Sequence, residues 1–268
     1  MATRESVTVG EHTIGFLRAG DGPPLVMLHG IGGNATQFIH QMDGLADSAT
    51  VIAWDAPGYG ESSDPGDEWL MPDYAAILAG FLDALGLDRV ALLGQSWGGS
   101  LAQTFVGLYP ERVSRLILSD ASMGGRSQPE ETRLATLKGR LDALESMTPA
   151  ELAVARAPAV LGPNPSAEVM REAETMMAAI RPSGYRRAAI ALAEIDTRPF
   201  HAGITVPTLV IGGEHDKITP PSGAATLASA IRGARHVTIP GIGHLSGQED
   251  PETYNAAVIE FLRDSTLA

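Results

Sequence analysis

Gly94-Gln95-Ser96-Trp97-Gly98 decides how this chain folds. An apolar run, Arg89-Val90-Ala91-Leu92-Leu93, precedes it and a helical pattern from Ser100 to Tyr109 follows. A serine flanked by glycines at a strand-to-helix junction reads as a nucleophile elbow. The turn is sharp enough to push the serine toward a strained backbone, and the residues two before and two after it need almost no side chain. Gly94 and Gly98 meet that need, and Gly99 adds room. The hydroxyl then stands above the first turn of a helix, where unpaired N–H groups and positive partial charge favour an oxyanion. Alone, the pattern is weak in a chain with 30 glycines, where small-residue turns are common. It gains force only from a base, an acid and a second oxyanion donor elsewhere.

Outward from the elbow, β-branched and apolar runs predict strands at 6–9, 13–18, 25–28, 50–54, 90–93, 113–118, 208–211 and 236–239. Helical periodicity fits 37–46, 74–85, 101–109, 222–231 and 251–263. A hairpin followed by alternating strands and helices implies a mostly parallel sheet with helices on both faces. One stretch breaks the alternation: from about Ser122 to Ala202 the pattern is helical only. Thr148-Pro149-Ala150-Glu151 reads as a capping box with proline in the first turn. Ser166 and Ser183 read as further N-caps, and 162–165 and 181–184 as breaks between helices. Met170, Met176 and Met177 give this insertion a soft apolar content, suited to packing on the sheet or to touching a substrate.

A serine hydroxyl needs a base, and the base an orienting acid. Of seven histidines, His244 has the distinctive setting: Pro240-Gly241-Ile242-Gly243-His244-Leu245-Ser246 is a glycine-rich loop directly after the last strand. His12, His40, His201 and His236 sit at strand or helix positions. The acid is expected after the preceding strand, in Gly212-Gly213-Glu214-His215-Asp216-Lys217, and Asp216 is the first choice. Glu214 and Asp120, the latter ending the sixth strand, are the alternatives. Oxyanion donors are expected from the backbone N–H of Trp97 and of Ile31, with Gly32 as the alternative to Ile31, in the loop His29-Gly30-Ile31-Gly32-Gly33. His29 suits fixing that loop better than proton transfer.

With these pieces in order, and with Asp55-Ala56-Pro57-Gly58-Tyr59-Gly60-Glu61-Ser62 after the fourth strand, nearly the whole chain resembles the α/β-hydrolase superfamily. The resemblance implies an eight-stranded, mostly parallel sheet flanked by helices. It also implies a helical lid after strand six: a core of 1–121 and 203–268 and a lid of 122–202. The run looks most like 3-oxoadipate enol-lactonase-like and meta-cleavage-product hydrolase-like enzymes. Hydrolysis of a small ester or enol-lactone is then the first expectation, and carbon–carbon hydrolysis of a vinylogous diketone acid the second. A cofactor-free dioxygenase or perhydrolase, and an inactive ligand-binding relative, stay open behind them. Dehalogenases and epoxide hydrolases normally carry aspartate where this chain has Ser96, and prolyl aminopeptidases carry a proline that 29–33 lacks. Carbon–carbon hydrolases typically have asparagine where this chain has Gln95, although Arg126 or Arg187 could anchor a carboxylate. The expected pocket residues are Gly32, Gln95, Met170, Met176 and Met177.

Composition sets outer bounds. With no cysteine, disulfides, thiolate metal sites and cysteine nucleophiles are excluded, and a reducing cytosol is the expected compartment. A net charge of −13 argues against nucleic acid or an anionic membrane as partner, but leaves room for a small anionic substrate beside a local arginine. No run approaches a membrane span, and residues 1–6 lack the apolar segment of a signal peptide. The expected partner is a small-molecule substrate, with no cofactor or metal; homo-oligomerisation is left open.

Overall fold

The computed structural model describes residues 2–264. Strands β1 (Thr3–Val9) and β2 (His12–Ala19) form an antiparallel hairpin, and β3 (Pro24–Leu28) follows. A 3-10 turn (Ala35–Phe38) leads into α1 (Ile39–Gly44), then β4 (Thr50–Trp54), α2 (Met71–Ala84), β5 (Val90–Gln95), α3 (Trp97–Leu108) and β6 (Val113–Ser119). Four helices come next: α4 (Glu130–Ser146), α5 (Pro149–Val160), α6 (Ala167–Ala178) and α7 (Pro182–Glu194). The short α8 (Arg198–His201), β7 (Thr208–Gly213), α9 (Pro221–Ala230), β8 (Arg235–Ile239), α10 (Ser246–Glu249) and α11 (Pro251–Arg263) complete the described chain. The sheet order is β1-β2-β4-β3-β5-β6-β7-β8, with only β2 running against the rest.

The central strands are apolar on both faces because helices cover both. Val26 and Leu28 of β3, Ile52 and Trp54 of β4, and Val90 and Leu92 of β5 share one core with Phe81 of α2, Phe105 of α3 and Leu227 of α9. Their alternates Leu25, Met27, Val51, Ala53, Ala91 and Leu93 face the other side, with Met42 of α1 and Tyr254, Val258 and Phe261 of α11. The strand ends after β3, β5, β7 and β8 therefore open on one rim, where an open parallel sheet binds its ligands.

Several elements depart from the sequence reading for local reasons. Helix α3 starts at Trp97, directly after Ser96, and not at Leu101, because Gly98 and Gly99 belong to its first turn and weaken the apolar period there. The stretch predicted as one helix over 37–46 splits into the 3-10 turn and α1, with Asn34 capping the turn by accepting from the Thr36 N–H at 2.8 Å. Ser183 is not an N-cap. Helix α7 opens at Pro182, which fixes a helical φ and has no N–H to satisfy, so Arg181 occupies the cap position. The Thr148–Glu151 capping box and the Ser166 cap form as read.

Candidate active site

Ser96 has φ of +53°, a left-handed conformation rare for a residue with a side chain, and its N–H donates to the Ser119 carbonyl at 2.9 Å. The flanking glycines are sterically required. A Cβ on Gly94 would lie 2.2 Å from the Gly98 oxygen, and one on Gly98 would lie 2.2 Å from the Leu28 oxygen. Held this way, the Ser96 Oγ is 2.9 Å from His244 Nε2, and His244 Nδ1 is 2.7 Å from Asp216 Oδ2. With Nδ1–H donating to the carboxylate, Nε2 is left to accept from the serine hydroxyl.

Each partner is fixed in turn. Asp216 is 3% exposed, and its carboxylate accepts from the N–H groups of Ile218 at 2.7 Å and Thr219 at 2.9 Å and from the Thr219 hydroxyl at 2.5 Å. Burial works to raise its pKa, but the hydrogen bond and charge of His244 and the Thr219 donors outweigh it and hold the carboxyl below its usual range. The His244 N–H donates to the Val160 carbonyl at the end of α5 at 2.7 Å, and its carbonyl accepts from Gln95 Nε2 at 2.8 Å. Glu249 ties the same loop to the helical segment, accepting from Gly162 N–H at 2.6 Å, Gly243 N–H at 2.9 Å and Leu245 N–H at 3.3 Å.

Asp120, the alternative acid at the end of β6, lies close by but makes no hydrogen bond to His244. Its oxygens accept from the Ser246 hydroxyl at 2.7 Å, the Ser119 hydroxyl at 2.9 Å and the Gly213 N–H at 3.3 Å. Burial raises it to about pKa 7, opposed by the nearby His244. Glu214 is exposed and turned toward the Gly241 N–H at 2.9 Å.

The 29–33 loop is set from below. The Gly30 carbonyl is bound by His29 Nδ1–H at 2.8 Å and Gly33 N–H at 2.9 Å. The Ile31 N–H, trans across the same peptide plane, therefore points the opposite way. His29 Nε2 accepts from the Ala56 N–H at 3.0 Å, and the Tyr59 hydroxyl donates to the Ile31 carbonyl at 2.8 Å, so the 55–62 turn clamps the loop. Burial lowers the His29 pKa, which suits a neutral, structural imidazole. Trp97 is the first residue of α3 and its N–H has no helical acceptor. Among the described residues no acceptor takes the N–H of Ile31 or Trp97.

A cavity of about 600 Å³, its open mouth included, lies over Ser96 and His244. Ile31, Gly32, Gln95, Met176 and Met177 line it, with Met177 Cγ 3.5 Å from where a Gly32 Cβ would stand. Met170 does not; it packs in the cluster between α5 and α6 with Ala157, Leu161 and Ala173. The Trp97 side chain is fully buried, its indole N–H donating to the Ala188 carbonyl at 3.1 Å. The sequence reading missed Arg140 on α4 and Arg156 on α5, both of which line the cavity. Neither has a local signal; each sits in an ordinary helical stretch. Arg126 and Arg187, the two arginines it named, are engaged elsewhere: Arg126 pairs with Glu194, and Arg187 donates to the Asp67 carbonyl. Among the described residues no cluster of three or more histidines and carboxylates could hold a metal ion, and no helix is long and apolar enough to cross a membrane.

A doubly covered parallel sheet, with a serine on a strained elbow at its rim and a histidine loop returning from the last strand, defines a hydrolase scaffold. The alpha/beta hydrolase fold family matches residues 23–251, and this chain belongs to that family. It is 32% identical over 263 residues to a 2-hydroxy-6-oxononadienedioate/2-hydroxy-6-oxononatrienedioate hydrolase of Burkholderia vietnamiensis, covering 89% of this chain and 86% of that one. It is 28% identical over 263 residues to 3-oxoadipate enol-lactonase 2 of Acinetobacter baylyi, covering 95% of each. Among solved structures, a thermophilic esterase from Thermogutta terrifontis with malate bound superposes with a TM-score of 0.89 at 29% identity, over 98% of both chains. The resemblance read from the motifs thus holds at the level of fold and family, and the chain is a hydrolase.

Proposed function

We propose that this chain hydrolyses a small carboxylic ester or enol-lactone through an acyl-enzyme on Ser96. The observation that carries the reading is the unbroken hydrogen-bonded line from Ser96 Oγ through His244 to Asp216, beneath a largely apolar cavity. His244 Nε2 takes the hydroxyl proton as Oγ bonds to the carbonyl carbon. The resulting oxyanion is met by the free N–H groups of Ile31 and Trp97. The carbon–oxygen bond to the leaving group then breaks, and Nε2–H returns the proton to the departing oxygen. A water then gives a proton to the same nitrogen as it bonds to the acyl carbon; the acyl carbon–Oγ bond breaks, and Nε2–H returns the proton to Ser96 Oγ. Asp216 stays ionised throughout and steadies the imidazolium. Helices α4–α7, within 122–202, act as the lid that closes this space over a small substrate.

Carbon–carbon hydrolysis is the second reading, favoured by the 32% identity to the dienedioate hydrolase. Gln95 bears on it: its amide nitrogen is committed to the His244 carbonyl, so it serves to position the histidine loop. Steady-state kcat/KM over short esters, enol-lactones and dienol diketone acids separates the two. The ester or lactone reading predicts the highest value for an ester or lactone; a higher value for a dienol diketone acid overturns it.

A further inference from the structure

Arg140 and Arg156 stand out from every other arginine of the helical segment. Both line the cavity that holds Ser96 and His244, and among the described residues neither guanidinium has a hydrogen-bond or ion-pair partner. Most other arginines of 122–202 are matched: Arg126 and Arg133 by Glu194, Arg181 by Asp64 at 3.1 Å, Arg186 by Glu145 at 3.3 Å and Arg198 by Asp196 at 2.6 Å, while Arg187 donates to the Asp67 carbonyl and Arg171, exposed, lies outside the cavity lining. Acidic residues outnumber basic ones by 13 in this chain, so counter-ions are plentiful, yet none is placed beside this pair. A guanidinium stays charged in a protein, and it is drawn to planar anions it can grip with two parallel N–H groups.

We infer that the substrate carries a carboxylate remote from the scissile bond, and that Arg140 and Arg156 hold it. This deepens the ester or lactone reading above and rests on it. The two arginines project from α4 and α5, whereas Ser96 and His244 belong to the core, so the anion sits on the helical side of the cavity and the reacting carbonyl on the elbow side. Much of the remaining lining is apolar, with Leu152, Val160, Met176, Met177 and Ile180. The site thus suits a short aliphatic or unsaturated chain with one acid end. Burial works against charge on Arg140, and the neighbouring Arg156 adds to it, a strain that a bound anion relieves.

The test uses the full chain and two sets of probes: monoethyl esters of short diacids and O-acetyl ω-hydroxy acids, each against its neutral methyl-ester counterpart. The native enzyme should favour the anionic member of at least one set, and raised salt should erode that preference. Arg140→Gln and Arg156→Gln should each cut the anionic-to-neutral ratio of kcat/KM by about 10–100-fold, the range for losing a charge-assisted contact. Arg140→Lys should restore part of it. Binding is read separately, as the thermal stabilisation of Ser96→Ala by unreactive short dicarboxylates. If no ester is cleaved but dicarboxylates still stabilise the protein through Arg140 and Arg156, the ester reading falls and the anion site stands. If neutral and anionic esters are cleaved equally well, or dicarboxylates give no stabilisation, the inference is overturned whether or not the variants fold.

Discussion

Replacing Glu249 should damage both stability and turnover, although its side chain makes no hydrogen bond to Ser96, His244 or Asp216. Its carboxylate joins three backbone N–H groups: Gly162 at 2.6 Å, Gly243 at 2.9 Å and Leu245 at 3.3 Å. The first belongs to the break between α5 and α6, and the other two flank His244. Hydrogen bonds to a charged acceptor contribute about 1.5–3 kcal/mol each, and Glu249 is half-buried with one contact long, so Glu249→Ala should cost about 2–4 kcal/mol. Glu249→Gln should cost nearly as much, because the amide turns a donor toward an N–H. Freed of its anchor, the His244 loop would be held to the helices mainly by the His244 N–H to Val160 carbonyl bond at 2.7 Å. Misplacement of a reacting group by about 1 Å costs on the order of 100-fold, so kcat should fall by about 10–100-fold. Urea unfolding followed by tryptophan fluorescence gives the first quantity, and ester hydrolysis the second. Stability within about 0.5 kcal/mol of native and kcat within about twofold, the scale of an ordinary surface change, would mean that Glu249 does not anchor the His244 loop.

Other outcomes follow from the same geometry. Asp216→Asn should cut kcat by about 10³–10⁴-fold, since the imidazole loses its orienting anion, and Asp120→Asn should cost far less; the reverse order in steady-state assays would move the acid to the end of β6. Asp120 favours its proton in the fold, with a pKa raised to about 7 from 3.8. The folded chain therefore binds more protons than the unfolded one between those values, and stability falls as pH rises through that window, by at most about 1.4 kcal/mol per pH unit. Asp120→Asn should flatten that slope in urea titrations across pH. Asp216 acts oppositely: its depressed pKa contributes stability above the unfolded value near 3.8, lost as pH falls through the lower folded value. Gly98→Ala should fail to fold or lose more than about 3 kcal/mol in urea melts, because its Cβ would stand 2.2 Å from the Leu28 carbonyl, backbone that cannot step aside.

What the sequence revealed was what local chemistry determines. The alternation of strands with helices after the first hairpin announced a sheet covered on both faces. Gly94 and Gly98 announced a turn with no room for side chains. The loops around Asp216 and His244 were marked by following the last two strands. What stayed hidden depends on how helices stack after folding. Arg140 and Arg133 lie two turns apart on α4, yet one lines the cavity and the other pairs with Glu194. Met170 and Met177 share a face of α6, but only Met177 reaches the cavity, because depth along a helix leaves no trace in its periodicity. Glu249 gave no signal either. Its role comes from the distant Gly162, which tertiary packing brings to it.

If Ser96 is the nucleophile, covalent labelling will find it. The chain is treated with a fluorophosphonate, its intact mass is measured, and the modified peptide is sequenced. One adduct per chain is expected, on Ser96, with esterase activity lost in proportion to labelling and no adduct in Ser96→Ala. An adduct on another residue, or a Ser96→Ala protein that is fully active and still labelled, would contradict it.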